Sequence, residues 1–280
     1  MSPIGWQERE VTVGERPVFV RLGPEVPGTV PIVHVHGFGV SGVSLMPTAE
    51  LLADRWTTFV PDLPGHGRSV GWGPGLDIPA IAHGLLGLLD ELELERVVLL
   101  GNSMGSPVIL EVAHEARDRV AGAVLVSPAG GVHNQPLARA LRQLGRDAVR
   151  ENPRMATIVV PDYVRFGLPS TFRLFRELTR FPSLERLLRT PVPTLAVIGT
   201  RDPLMPPPWR VREVGRLAPD HVTVVVIEGA AHVVNFSHPA ELAHVVASWL
   251  DGVEIVDDPE APGVSRVLRL PRGGRDPAVR

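Results

Sequence analysis

The sequence predicts an α/β fold: a doubly wound, mostly parallel sheet covered on both faces, with a helical segment inserted into it. Three observations predict it. Short apolar, β-branched runs alternate with stretches of helical period, the pattern of parallel strands joined by helical crossovers. The stretch Val97–Gly105 packs an apolar run, a glycine-flanked serine and the start of a helical pattern into a few residues. Residues 131–190 then interrupt the alternation for longer than a connecting loop in a compact domain.

Taken in order, Glu10–Gly14 and Pro17–Arg21 alternate around a short turn and read as an antiparallel hairpin at one sheet edge. Val30–Val35 is a buried central strand ending in His34-Val35-His36-Gly37-Phe38-Gly39. Met46–Asp54 is a short helix, and Thr57–Val60 a strand closed by the glycine-rich loop Pro61–Ser69. Asp77 caps a helix with Pro79 in its first turn and an apolar stripe at Ile81, Leu85, Leu88, Leu89 and Leu92. Val97–Leu100 and Val120–Val126 are strands flanking a helix that runs to about Ala116. Pro193–Ile198 and Val222–Ile227 are two more strands, with a helix over Arg210–Leu217 between them. Pro239 opens a last helix that ends near Leu250.

These elements divide the chain into a core, residues 1–130 and 191–252, and a helical cap, residues 131–190. The cap carries eleven arginines against five carboxylates, read as a solvated face; the alternative is a positive lid that draws in an anionic substrate. Residues 253–280, rich in Pro, Gly and Arg, read as a flexible or surface-laid extension.

Composition excludes several classes. A net charge of −3 gives no bias toward nucleic acid or acidic membranes. The absence of cysteine removes disulfides, thiolate metal sites and a cysteine nucleophile, and the absence of lysine removes Schiff-base chemistry. Met1–Glu10 lacks the basic start and apolar core of a secretory signal, and no apolar run is long enough to span a bilayer. A cytoplasmic monomer or homodimer acting on a small molecule is the expectation.

The chemistry gathers around Gly101-Asn102-Ser103-Met104-Gly105. Two glycines let strand and helix approach closely, the serine is pushed into a strained, exposed position, and the Met104 amide behind it points toward the same space. A serine hydroxyl needs a base and the base an orienting carboxylate. In a doubly wound sheet these collect in loops at the carboxyl ends of strands. Ile198-Gly199-Thr200-Arg201-Asp202-Pro203 places Asp202 just after one strand, and Ile227-Glu228-Gly229-Ala230-Ala231-His232 places His232 just after the next. His238, the nearest rival base, precedes Pro239 and reads as the residue before a helix.

Five motifs in order, His36–Gly39, Asp62–Ser69, Gly101–Gly105, Gly199–Pro203 and Gly229–His232, make the chain resemble the α/β-hydrolase-fold enzymes over roughly residues 10–250. The resemblance implies Ser103 as nucleophile, His232 as general base and then acid, Asp202 as its orienter, and an oxyanion hole from the backbone amides of Phe38 and Met104. It implies no cofactor. Serine at the turn argues against the related dehalogenases and epoxide hydrolases, which use aspartate there. The motifs are similar to those of carbon–carbon bond hydrolases of ring-fission products, esterases, lactonases and cofactor-free haloperoxidases. Ser106 and Val233 depart from the ring-fission pattern. A carboxylic ester or related acyl compound is therefore the expected substrate, with the others as alternatives, and a small-molecule receptor on the same fold as the non-enzyme alternative.

Tyr163, Phe166, Phe172 and Phe175 of the cap, with Met205 and Val233 beside the acid and histidine loops, are expected to line the substrate pocket. His36 is expected to brace the oxyanion loop, His34 to be a satisfied core histidine, and Asp62 and His66 to be structural. The remaining histidines lack a pair at metal-ligand spacing, so no metal site is expected, and the glycine-rich pieces lack phosphate-loop spacing.

Overall fold

The computed structural model describes residues 5–73, 76–256 and 267–269. The chain begins with the hairpin β1 (Gln7–Val13) and β2 (Arg16–Leu22), paired antiparallel around Gly14. Next come β3 (Ile32–Val35), α1 (Met46–Ala53), β4 (Thr58–Pro61) and α2 (Ile78–Glu91). β5 (Val97–Asn102), α3 (Gly105–Glu115) and β6 (Val120–Val126) follow. Four helices then intervene before the sheet resumes: α4 (Leu137–Ala148), α5 (Ala156–Phe166), α6 (Leu168–Leu178) and α7 (Ser183–Leu187). The core closes with β7 (Thr194–Gly199), α8 (Pro208–Leu217), β8 (Val222–Ile227), α9 (Val234–Ser237) and α10 (Pro239–Leu250).

The described strands form one sheet in the order β1-β2-β4-β3-β5-β6-β7-β8-β9. β4, β3, β5, β6, β7 and β8 run parallel, while β1 and β2 are antiparallel at one edge. At the other edge β9 (Val267–Arg269) pairs antiparallel with β8. The sequence reading did not foresee that strand. The rest of the expected extension, from residue 257 on, lies outside the described residues.

β5 shows why the central strands are uninterrupted apolar runs. Val97 and Leu99 pack into the layer formed with α2 and α3, and Val98 and Leu100 into the opposite layer with α10. Period-two alternation gives both faces of the strand a helix layer to meet. On α2, Ile81, Leu85, Leu88 and Leu89 are fully buried, each worth about 1.5–3 kcal/mol on transfer from water. Asp77 caps that helix by accepting the Ala80 N–H at 2.8 Å, a contact worth about 1 kcal/mol.

One expectation is corrected in the core. His34 in β3 is fully buried, but neither ring nitrogen has a hydrogen-bond partner among the described residues. Burial lowers its pKa to about 3, so it is a neutral ring packed as an apolar group.

Candidate active site

The turn from β5 into α3 fixes Ser103. A Cβ on Gly105 would overlap the carbonyl of Val35, so only glycine lets α3 start this close to β3. Ser103 takes φ +55°, a left-handed conformation unusual for a residue with a side chain. It is held there by its N–H donating to Val126 O at 2.9 Å. Met104 follows at the helix N-cap, where main-chain N–H groups have no partner within the helix.

The loop after β3 lies against this turn. A Cβ built on Gly37 would stand 3.4 Å from Ser103 Cβ. His36 fixes the loop: its Nδ1 bonds Gly37 O at 2.8 Å and its Nε2 accepts the Leu63 N–H at 2.8 Å, the bracing role expected of it. Asp62 is structural, accepting from Arg21 Nη1 at 2.7 Å, Gly42 N at 2.8 Å and Arg68 N at 2.9 Å. Burial opposes its ionisation, but the Arg21 guanidinium prevails and holds the carboxyl below its ordinary pKa.

His232 and Asp202 meet across the loops after β8 and β7. His232 Nδ1 bonds Asp202 Oδ2 at 2.7 Å, and the second carboxylate oxygen accepts the Leu204 N–H at 2.8 Å. Gly199 permits this approach, since a Cβ there would overlap the carbonyl of Ala230. Asn102 Nδ2 donates to the main-chain carbonyl of His232 at 2.9 Å. Burial alone would depress the His232 pKa. The charge and hydrogen bond of Asp202, then the charges of Asp147 and Glu151, outweigh it and raise the pKa to about 9.

Ser103 and His232 open on one cavity of about 350 Å³ between the sheet and the inserted helices. Its walls are mostly apolar: Phe38, Leu144, Met155, Val159, Tyr163 and Phe175 are among them. Of the residues expected at a substrate pocket, Tyr163, Phe175 and Val233 line this cavity. Three others do not. Phe172 is 57% exposed, because it lies off the inward face that Leu174, Phe175 and Leu178 share. Phe166 stacks on His66 at 4.4 Å between ring centroids, behind Phe38. Met205 is buried in the core, and its neighbour Leu204 reaches the cavity instead.

Two residues that the sequence reading did not single out line the same cavity. Asp147 Oδ1 accepts the His232 N–H at 3.3 Å, and Glu151 Oε1 accepts the Val233 N–H at 2.7 Å. Burial, first of all, raises both carboxyls above their ordinary pKa, Asp147 to about 7. The available signal was a pair of acids four residues apart in an arginine-rich helical stretch. No arginine lines the cavity among the described residues, and the arginines of α4, α5 and α6 are exposed.

No described helix is long and apolar enough to cross a membrane. Among the described residues, no group of three or more His, Asp or Glu side chains is placed to hold a metal ion.

The alpha/beta hydrolase family model matches residues 32–245, and the chain belongs to that family. An uncharacterised protein of Mycobacterium tuberculosis is 25% identical over 285 aligned residues, spanning 89% of this chain and 82% of that one. A solved thermophilic esterase from Thermogutta terrifontis is similar with a TM-score of 0.67 and 26% identity, covering 89% of this chain and 100% of that one. The enol-lactonase from Burkholderia xenovorans LB400 shares the fold with a TM-score of 0.69 at 20% identity, over 87% of this chain and 100% of that one.

Proposed function

We propose that this hydrolase is a serine hydrolase that cleaves small to medium, uncharged carboxylic esters through an acyl-enzyme, under a cap formed by α4–α7. The observation that carries the reading is the 2.7 Å bond between His232 Nδ1 and Asp202 Oδ2, at a cavity that Ser103 also lines. With Nδ1–H donated to Asp202, the Nε2 lone pair of His232 is the free base. Ser103 Oγ attacks the ester carbonyl as His232 takes its proton. The Met104 and Phe38 amides hold the oxyanion, each donor worth about 3 kcal/mol in the transition state. The imidazolium protonates the departing alkoxide, and the alcohol leaves. Water, deprotonated by His232, releases the carboxylic acid and restores Ser103.

The cavity supports the substrate class. Its apolar walls favour an alkyl or aryl acyl group, while its two acids and lack of arginine disfavour an anionic one. The similarity to the Thermogutta esterase agrees with an ester.

The test is Ser103→Ala assayed on 4-nitrophenyl butyrate, with fluorophosphonate labelling of the native protein. Turnover in the variant falls by at least about 10³-fold, with an unchanged melting temperature, and the label attaches to Ser103. Native-level activity in Ser103→Ala sinks the proposal.

A further inference from the structure

Residues 131–190 contain five carboxylates, and four of them accept a main-chain N–H from the core. Besides Asp147 and Glu151, Asp162 Oδ2 on α5 accepts the Ser41 N–H at 2.8 Å, and Glu177 Oε1 on α6 accepts the Ile78 N–H at 3.1 Å. Asp147 and Asp162 are buried. These four acids bond inward, Glu185 on α7 being exposed, while the arginines of α4, α5 and α6 face solvent.

Three of these bonds end on the loops that the proposed reaction uses, and they share a pattern. In the loop carrying His232, the successive N–H groups of His232 and Val233 go to Asp147 and Glu151. In the loop carrying Phe38, the successive N–H groups of Ser41 and Gly42 go to Asp162 and Asp62. In each loop two adjacent donors are satisfied by two carboxylates, at least one of them from the inserted helices. Hydrogen bonds from main chain to carboxylate are directional and stronger than neutral ones. A buried N–H that loses its acceptor suffers a desolvation penalty, so the loop would move to recover a partner. The side chain and carbonyl of His232 are fixed by the core, through Asp202 and Asn102. Its N–H is held by Asp147 of α4, with Glu151 beside it.

We propose that Asp147, Glu151 and Asp162 are positioning residues, whose bonds to the main chain of His232, Val233 and Ser41 hold the base loop and the oxyanion loop in register beneath the docked helices. The proposal rests on the reading of those loops as catalytic, and it makes the site complete only when α4 and α5 are seated. The acceptor oxygen is the working element. Asn at 147 or 162 and Gln at 151 therefore preserve the hold, and Ala removes it.

The experiment uses the full chain. Hydrogen–deuterium exchange is followed in peptides covering 229–236 and 39–44, beside steady-state hydrolysis of 4-nitrophenyl butyrate. Asp147→Ala and Glu151→Ala speed exchange in the first peptide only, and Asp162→Ala in the second only, each by about tenfold. Each lowers kcat about tenfold, with KM within about twofold. Asp147→Asn, Glu151→Gln and Asp162→Asn return exchange and kcat to within about threefold of the native chain. Glu213→Ala, on α8, moves neither. Native exchange and kcat in the alanine variants overturn the proposal, as do amide variants that behave like alanine. Where an alanine variant does not fold, its amide counterpart decides: native exchange and kcat support the hold, and fast exchange overturns it. If the native chain hydrolyses no ester, the serine-hydrolase reading has failed, and the exchange arm still decides whether the carboxylates hold the loops.

Discussion

Asn102 Nδ2 reaches across the top of the sheet to donate to the main-chain carbonyl of His232 at 2.9 Å, tying the residue before Ser103 to the loop of its proposed base. The same amide donates to Val126 O at 3.3 Å, so it spans the ends of two strands as well. It fixes the relative placement of Ser103 and His232. Asn102→Leu keeps the volume and removes both bonds. We expect kcat on 4-nitrophenyl butyrate to fall about tenfold with little change in KM, and stability to fall by about 1–3 kcal/mol from the stranded His232 carbonyl, since Val126 O keeps the Ser103 N–H. Unchanged kcat would show that the His232 loop is positioned by Asp202 and α4 alone.

The pH dependence of turnover follows from the same histidine. Burial lowers the pKa of His232, but Asp202 first, and then Asp147 and Glu151, raise it to about 9. Only the neutral ring can take the Ser103 proton. We expect kcat/KM to climb through neutrality with its midpoint near pH 9, after correction for spontaneous hydrolysis of the ester. Asp147→Asn removes one of the raising charges, so its limb shifts to lower pH. A native profile already flat from pH 6 would contradict this environment for His232.

Gly105 is a prediction about the fold. Its missing side chain is what lets the start of α3 lie against the carbonyl of Val35. Gly105→Ala should destabilise the chain by about 3 kcal/mol or more through overpacking against main chain that has nowhere to go. That amounts to a fall in Tm of roughly 6–12 °C. An Ala variant that melts with the native chain would mean the turn can relax.

What the sequence made legible, and what it hid, divides along the range of the forces involved. β6, β8 and α10 were readable because burial on both faces, or a proline at the first turn, writes itself into neighbouring residues. The meeting of Asp202 and His232 was readable because parallel strands deliver their following loops to one edge. The three-residue β9 was not, since it is defined by the exposed edge of β8 and not by any period of its own. Phe166, Phe172 and Met205 carried the right chemistry for a pocket. Which way each faces depends on how α5, α6 and the loop after β7 settle on the core, and no local pattern encodes that. Asp147 and Glu151 were hidden for a related reason. Their partners are main-chain N–H groups 85 and 82 residues away, and a backbone amide leaves no mark in a sequence.

Asp147 also makes a prediction about stability. Its side chain faces His232, Glu151 and Asp202, with α4 on one side and the loops after β7 and β8 on the other. Burial, reinforced by Glu151 and Asp202 and opposed by His232, raises its pKa from an ordinary 3.8 to about 7. A group whose pKa is higher in the folded chain stabilises that chain while both states hold the proton. The contribution is full below pH 3.8 and is lost as pH rises toward 7. Asp147→Asn keeps the acceptor oxygen and cannot ionise, so it escapes that loss. We expect the melting temperature of Asp147→Asn, relative to the native chain, to rise steadily between pH 5 and pH 7 as the native carboxyl is forced to ionise. Thermal melts of the two proteins at pH 5, 6 and 7 measure it. A gap that stays constant would mean that the Asp147 carboxyl is ionised in both states across this range, its pKa not raised by burial.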